Sequence, residues 1–131
     1  MNEPFWPGHK APGGYRVGPW YDAFGTDYVR RAFARAGQVD KTTKFVLNEA
    51  QTERDDDVGH AVRAGLLHLV DELKQAGVPL HAVGCQGQLQ PRYPHDPARF
   101  LDCVHAFAER KVDIYVTEFD VRDDPFRDHI G

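Results

Sequence analysis

The sequence predicts an α/β protein in which parallel strands alternate with helices. Three short apolar segments, "KFVLNEA", "LHAVGCQGQL" and "VDIYVTEFDV", each follow a segment whose apolar residues recur at helical spacing. None of the three alternates strictly between apolar and polar residues, which is typical of strands covered on both faces. Such an order gives parallel strands joined by right-handed crossovers. Two architectures therefore fit: a doubly wound sheet or part of a (β/α)8 barrel.

The three helices are predicted from apolar spacing and from the residues at their ends. The first begins near Asp27 and ends at Gly37, where a glycine can close the last turn. The second runs over 58–76. The third has Asp96 as its N-cap and Pro97 at its first helical position, where the missing N–H costs no hydrogen bond.

The chain is predicted to form one domain, 1–131. Its 131 residues are 41% hydrophobic and 27% charged, which is ordinary for a globular domain. Residues 1–26 are rich in Gly, Pro and aromatic side chains without a helical or alternating period, so we expect a long ordered loop. The helix–strand repeats occupy 27–131.

Charge and hydropathy exclude several classes of partner. The net charge is −4 with both signs mixed, and no basic patch predicts nucleic acid binding. No apolar run approaches the roughly 18 residues of a membrane span. Met1 is followed by polar residues rather than a basic and apolar leader, so we expect no secretory signal in this chain. Cys85 and Cys103 are predicted as buried thiols, with a disulfide left open because sequence does not fix their separation.

Polar side chains follow all three predicted strands where each strand ends. In both architectures the functional site forms at the carboxyl ends of the strands. A single polar residue there is usually a solvated loop residue, but three strands ending this way favour a site. These residues are Asn48, Glu49, Gln86, Gln88, Glu118 and Asp120.

Several other chemistries lack their sequence patterns. No Gly-rich turn joins a strand to its helix, and no phosphate-binding loop or G-x-S-x-G motif occurs. The seven histidines are scattered without metal-ligand spacing. We therefore predict neither a metal nor a cofactor. Carboxylates and amides remain, and cleavage of a glycosidic bond needs two carboxyl groups on either side of it. Glu118 is one candidate, and Glu3 in "NEPFWP" is the second, with Trp6 nearby to stack on a sugar ring.

Four collinear motifs give the sequence a family resemblance. "NEP", "NEAQTE", "VPLHAVGCQGQL" and "IYVTEFDV" resemble, in order and spacing, motifs of glycoside hydrolase family 10, and "PGGYRVGPWYDAFGTDYVRRAFARA" is similar to the loop and helix after the first of them. The resemblance implies a (β/α)8 TIM barrel. It also implies a retaining hydrolase that cleaves internal β-1,4-xylosidic bonds of xylan or related oligosaccharides. Relatives are usually secreted, and the compartment of this chain is left open.

The resemblance also implies roles for individual residues. Glu3 matches the general acid/base and Glu118 the nucleophile. Asn2 matches the asparagine that contacts the sugar 2-hydroxyl. The positions implied to bind substrate or support the nucleophile are Asn2, Trp6, Asn48, Gln86, Gln88 and Asp120.

Two positions depart from the family pattern. Gln88 stands where a histidine usually bridges the nucleophile and the following aspartate, and glutamine cannot carry a positive charge. Ala50 stands where an aromatic residue often contacts sugar. The second departure removes a sugar contact and puts the substrate preference in doubt.

Length is the largest departure. A barrel of this type takes about 250 residues, and the motifs of this chain correspond to barrel strands five to seven, preceded by the tip of strand four. We expect an open sheet with two exposed edges. Such a chain would be marginally stable by itself, or it would pair with another copy or another chain. The alternatives to an active hydrolase are an inactive carbohydrate-binding remnant or one part of a split barrel.

Overall fold

The computed structural model describes residues 1–122. Its strands form one sheet of three and one of two, and all strand pairs are parallel. The strands are β1 (Val46–Glu49), β2 (Ala82–Cys85), β3 (Gln88–Leu89), β4 (Asp113–Val116) and β5 (Asp120–Val121). The larger sheet has the order β1-β2-β4, and the smaller sheet pairs β3 with β5.

Four α-helices connect and precede these strands. They are α1 (Pro19–Phe24), α2 (Tyr28–Val39), α3 (Asp57–Gln75) and α4 (Pro97–Glu109). The helices α3 and α4 each begin at a side-chain N-cap, which fixes where the helix starts. The Asp56 carboxylate accepts a hydrogen bond from the Gly59 N–H, and the Asp96 carboxylate accepts from the Ala98 N–H. The predicted N-cap of the third helix is thus confirmed.

The structure differs from the predicted elements at three places. The first predicted helix does not end at Gly37 but continues to Val39. The predicted strand "LHAVGCQGQL" forms two strands, β2 and β3, because the chain turns at Gly87, whose φ of 74° lies in the left-handed region. The predicted long loop contains α1 and three short 3-10 turns, Pro7–His9, Pro12–Gly14 and Gly25–Asp27.

The core lies between the sheet and the helices that cover its outer face. The central strand β2 is buried along its whole length. Around it pack apolar residues of α2, α3 and α4, among them Val29, Phe33, Val62, Leu66, Leu69, Val70, Leu73, Cys103 and Phe107. Cys85 and Cys103 are both buried free thiols.

Among residues 1–122 the strand β4 pairs with β2 alone, so its other edge is open. Val116 is 58% exposed and Phe119, just after the strand, is 68% exposed. The expectation of an open parallel sheet is therefore confirmed, whereas the prediction that every strand is covered on both faces is wrong for β4. No helix among residues 1–122 is long and apolar enough to cross a membrane.

Candidate active site

The three parallel strands place their following residues side by side at one edge of the sheet. Register pairs Glu49 with Cys85 and Cys85 with Val116. The ladder continues past the strands, because the Gln86 N–H donates to the Glu49 carbonyl (3.0 Å) and the Glu118 N–H donates to the Gln86 carbonyl (3.0 Å). Glu49, Gln86 and Glu118 therefore follow one another across the carboxyl-end edge of the sheet.

The first residues of the chain join the same edge from the other side. Asn2 forms a parallel bridge with Asn48. The Asn48 N–H donates to the Met1 carbonyl (2.9 Å), and the Glu3 N–H donates to the Asn48 carbonyl (2.8 Å). Glu3 is thereby fixed next to the end of β1, more than a hundred residues from Glu118 in the chain.

Each oxygen of the Glu3 carboxylate accepts one hydrogen bond. The Gln86 amide donates from Nε2 to Oε1 (2.9 Å), and the Arg16 guanidinium donates from Nη2 to Oε2 (2.7 Å). The side chain is 30% exposed, so it is open to solvent on one side. Glu3 thus presents a held but accessible carboxylate.

The Glu118 carboxylate is held in the same way by two amides. Asn48 donates from Nδ2 to Oε1 (3.0 Å), and Gln88 donates from Nε2 to Oε2 (3.1 Å). Asn48 is itself oriented, because its Nδ2 also donates to Asn2 Oδ1 (2.7 Å) and its Oδ1 accepts from the Thr117 hydroxyl (2.6 Å). Both oxygens of the Glu118 carboxylate are therefore bound by amide donors whose own positions are fixed by the neighbouring residues.

Two residues connect Glu3 with Glu118, each by one side-chain and one main-chain hydrogen bond. Gln86 binds the Glu3 carboxylate with its side chain and the Glu118 N–H with its carbonyl. Asn48 does the reverse, since its carbonyl accepts from the Glu3 N–H and its side chain donates to the Glu118 carboxylate. Glu3 and Glu118 therefore belong to one hydrogen-bonded constellation.

A third carboxyl group, that of Glu49, lies beneath this constellation. Glu49 is 1% exposed, and its oxygens accept from the Phe5 N–H (3.0 Å) and the Ala50 N–H (2.9 Å). Burial raises the pKa of Glu49 to about 7, with a smaller contribution from the charge of Glu3, against the backbone hydrogen bonds that lower it. The position of Glu49 at the strand end is predicted from the sequence, but this buried role is not.

A cleft of about 290 Å³ opens beside the Glu3 carboxylate. Trp6, 39% exposed, and Glu3 form part of its wall. Tyr93 lies on the wall as well, and the Arg54 guanidinium stacks 3.5 Å from the centre of its ring. The remaining lining residues are Ala50, Gln51, Glu53, Arg54, Gln86, Gln88, Gln90 and Arg92. The wall is rich in groups that hydrogen-bond to hydroxyls.

The structure thus brings together most of the predicted site residues. Asp120 pairs in register with Gln88, but within residues 1–122 its carboxylate accepts no hydrogen bond from the constellation, so its supporting role stays a prediction. No three His, Cys, Asp or Glu side chains in that range lie close enough together to hold a metal ion. The predicted residues that meet at the site are Asn2, Glu3, Trp6, Asn48, Gln86, Gln88 and Glu118.

Two linked carboxylates at the carboxyl ends of parallel strands, surrounded by amides and an exposed tryptophan, are typical of the glycoside hydrolase class. The glycosyl hydrolase family 10 model matches residues 1–129. The chain therefore belongs to glycosyl hydrolase family 10, and its fold is part of a (β/α)8 barrel.

Relatives of known structure and name agree with this assignment. A β-1,4-xylanase of Dictyoglomus thermophilum is 37% identical over 106 residues, which cover 81% of this chain and 28% of the relative. Xylanase 10B of Thermotoga maritima superimposes with a TM-score of 0.81 at 28% identity, over 97% of this chain and 36% of that protein. Xylanase 10B of Thermotoga petrophila, solved with xylobiose, gives a TM-score of 0.79 at 26% identity, over 98% of this chain and 37% of that protein. The chain thus spans about a third of the length of these relatives.

Proposed function

We propose that this chain carries the catalytic carboxylate pair of a retaining glycoside hydrolase that cleaves internal β-1,4-xylosidic bonds of xylan or xylo-oligosaccharides. The observation that carries the proposal is the double link between Glu3 and Glu118 through Gln86 and Asn48. The xylanase names of the relatives and the xylobiose bound to one of them support the substrate class.

In the first step Glu118 acts as nucleophile and Glu3 as acid. An ionised Glu118 oxygen attacks the anomeric carbon and forms a glycosyl-enzyme, while protonated Glu3 donates its proton to the departing glycosidic oxygen. The two amides that donate to Glu118 hold its carboxylate in one orientation before attack. This double displacement requires carboxyl groups about 5–5.5 Å apart.

In the second step Glu3 changes from acid to base. It takes a proton from a water molecule, which attacks the anomeric carbon and releases Glu118. The accessible side of the Glu3 carboxylate faces the cleft, where the water and the leaving sugar must both pass. Trp6 in the cleft wall offers an aromatic face to a sugar ring. Asn2, next to Asn48, is placed to contact a sugar hydroxyl.

Release of reducing sugar from xylan tests the activity. We expect activity in the natural chain and a loss of at least about 10²-fold on Glu3→Ala, with complete loss on Glu118→Ala. Glu109→Ala, an exposed carboxylate at the end of α4, is the matched control and should leave activity unchanged. A 2-fluoro xylobioside should trap a covalent adduct whose mass maps to Glu118. An adduct on another residue, or equal activity in all three variants, would contradict the assignment.

A second candidate function follows from the exposed side of β4. An apolar residue such as Val116 at an open sheet edge favours a chain that works after pairing with further barrel strands, as one part of a split barrel. If the chain alone is inactive and becomes active only in a larger assembly, this second function is favoured over autonomous catalysis.

A further inference from the structure

One arginine outside the cleft contacts Glu3 at two separate places. Arg16 donates from Nε to the Glu3 carbonyl (3.0 Å) and from Nη2 to the Glu3 carboxylate (2.7 Å). Its guanidinium also stacks on Trp6, with Cζ 5.0 Å from the ring centre. A single side chain therefore holds the backbone and the carboxylate of one cleft residue and the ring of another.

The backbone of Arg16 is itself fixed against the segment that carries Glu3. Phe5 and Tyr15 form an antiparallel bridge, and both are buried. The Arg16 N–H donates to the Pro4 carbonyl (2.7 Å), and the Trp6 N–H donates to the Gly14 carbonyl (2.7 Å). The guanidinium thus extends from a short two-stranded ribbon whose other strand begins next to Glu3.

Glu3 needs such support because its backbone is strained. Its φ of 47° lies in the left-handed region, which side chains other than glycine rarely adopt. Strained residues persist where the surrounding structure over-determines them. The Glu3 N–H is bound by the Asn48 carbonyl and the Glu3 carbonyl by Arg16, so Arg16 holds one of the two backbone groups of this residue.

Arg16 acts from behind the cleft wall. Among the described residues the cleft lining includes Glu3 and Trp6 but not Arg16. The arginine is therefore placed to orient the residues that contact the sugar rather than to contact the sugar itself.

We propose that Arg16 is a positioning residue for Glu3, and that its bidentate contact with the Glu3 carbonyl and carboxylate sets the direction in which Glu3 transfers its proton. The proposal rests on the proposed function. It assigns to Arg16 an effect on proton transfer in particular, since Glu118, which forms the covalent bond, is held by other residues.

Substrates with different leaving groups separate this role from a general loss of structure. From an aryl xylobioside, a strongly acidic phenol can leave as the phenolate without a proton from Glu3. A weakly acidic phenol or a sugar leaving group needs that proton. For Arg16→Lys we expect kcat/KM to fall by about a hundredfold on the poor leaving group, as for a misplacement of about 1 Å. On the activated substrate we expect a much smaller fall. Lysine keeps the charge but cannot make both contacts in the same geometry.

Controls keep the kinetic result interpretable. Arg35→Lys changes an exposed arginine of α2 whose hydrogen-bond acceptor within residues 1–122 is Gln38, and it should leave the rates on both substrates unchanged. Arg16→Gln, which removes the charge, should resemble Arg16→Lys if geometry decides. Equal losses on both leaving groups, or no loss on either, would overturn the positioning role.

A measurement without turnover separates this inference from the proposed function. In nitrogen-15 NMR spectra of the natural chain, the Arg16 Nε–H should exchange slowly with solvent, and the Glu3 amide signal should shift on Arg16→Lys but not on Arg35→Lys. If xylan is not cleaved at all, the proposed function fails. The spectra still decide whether Arg16 holds Glu3, and a rapidly exchanging Arg16 Nε–H with an unmoved Glu3 signal would refute the inference.

Discussion

The pKa of the buried Glu49 carboxyl group is subject to two opposing influences. Two backbone N–H groups point at its oxygens, which suits a carboxylate, while burial at 1% exposure disfavours the charge. Burial dominates and raises the pKa to about 7. One of the two N–H donors belongs to Phe5, two residues after Glu3, so the protonation of Glu49 bears on the segment that carries the proposed acid.

The raised pKa of Glu49 predicts how stability depends on pH. Between the ordinary value of 4.5 and the folded value of about 7, the folded state binds more protons than the unfolded state. The free energy of unfolding should therefore fall as pH rises through that window, by on the order of 3 kcal/mol at most, and level off above it. Glu49→Gln should flatten this slope. Urea denaturation of both proteins across the window measures it, and identical slopes would contradict the prediction.

Gln88 is the second residue whose chemistry can be tested alone. It donates one hydrogen bond to the Glu118 carboxylate (3.1 Å). Since a hydrogen bond to a charged group contributes about 1.5–3 kcal/mol, Gln88→Ala should lower kcat/KM on xylo-oligosaccharides by at least about tenfold. Gln88→Glu has nearly the same shape but adds a second negative charge next to Glu118, so its loss should be larger. Gln75→Ala at the exposed end of α3 is the control.

The sequence predicts the proposed acid, the nucleophile and the three amides that bind their carboxylates, but it assigns no role to two other residues that hold the same segment. Glu3 and Glu118 stand out because motifs and strand ends carry them. Arg16 and Glu49 act through main-chain groups of a distant segment, and residue identity does not reveal such contacts. Arg16 lies in the segment that begins "PGGYRVGPW" and resembles the family, and this resemblance is the sequence feature that could have pointed to a role for it.

The central strand β2 can pack against its two neighbours only because it has a glycine, Gly84, at the position that pairs with Asn48. A side chain at Gly84 would place its Cβ 2.3 Å from Asn48 Oδ1 and 2.9 Å from Thr117 Cγ2. The neighbouring strands can therefore bring Asn48 and Thr117 together only if β2 has no side chain there. This position connects strand packing with the orientation of Glu118.

Gly84→Ala should consequently affect stability and site together. Asn48 would have to move, which we expect to cost roughly 1–3 kcal/mol of unfolding free energy and to release the Glu118 carboxylate. Gly18→Ala is the matched control, because Gly18 has an extended backbone and no atom within 4 Å of the added Cβ. Denaturation gives the stability change, and the Asn48 side-chain amide signal in NMR reports the contact. Equal effects of the two substitutions would contradict the packing argument.

Element prediction succeeded where local signals were strong. The caps and apolar spacing of α3 and α4 are local, and both helices form. α1 was missed because its six residues are too few for an apolar period to show. The turn at Gly87 was missed because glycine within an apolar run also suits a continuous strand.

At the scale of the whole molecule, the open side of the sheet is the main feature. Apolar residues at the outer edge of β4 and around β5 are exposed where a closed barrel would cover them. Exposed strand edges pair readily with other chains. We therefore expect the chain to self-associate as its concentration rises.

Val116→Lys tests this expectation, since a charged side chain on an edge strand opposes pairing. Sedimentation velocity should show a mass that rises with concentration for the natural chain and stays near that of a monomer for Val116→Lys. Val39→Lys, at a still more exposed valine at the end of α2, should associate like the natural chain. A natural chain that stays monomeric at all concentrations would contradict the prediction.

The shared amides also bear on how an inactive form should be prepared for capturing a bound saccharide. Asn48 Nδ2 loses its carboxylate acceptor when Glu118 becomes alanine, and the amide can then rotate away from Asn2. Glu118→Gln can keep an oxygen acceptor at that position while removing the nucleophile. Glu118→Gln is therefore the better variant for crystallising a saccharide complex, because Glu118→Ala would also change the hydrogen bonds of the neighbouring amides.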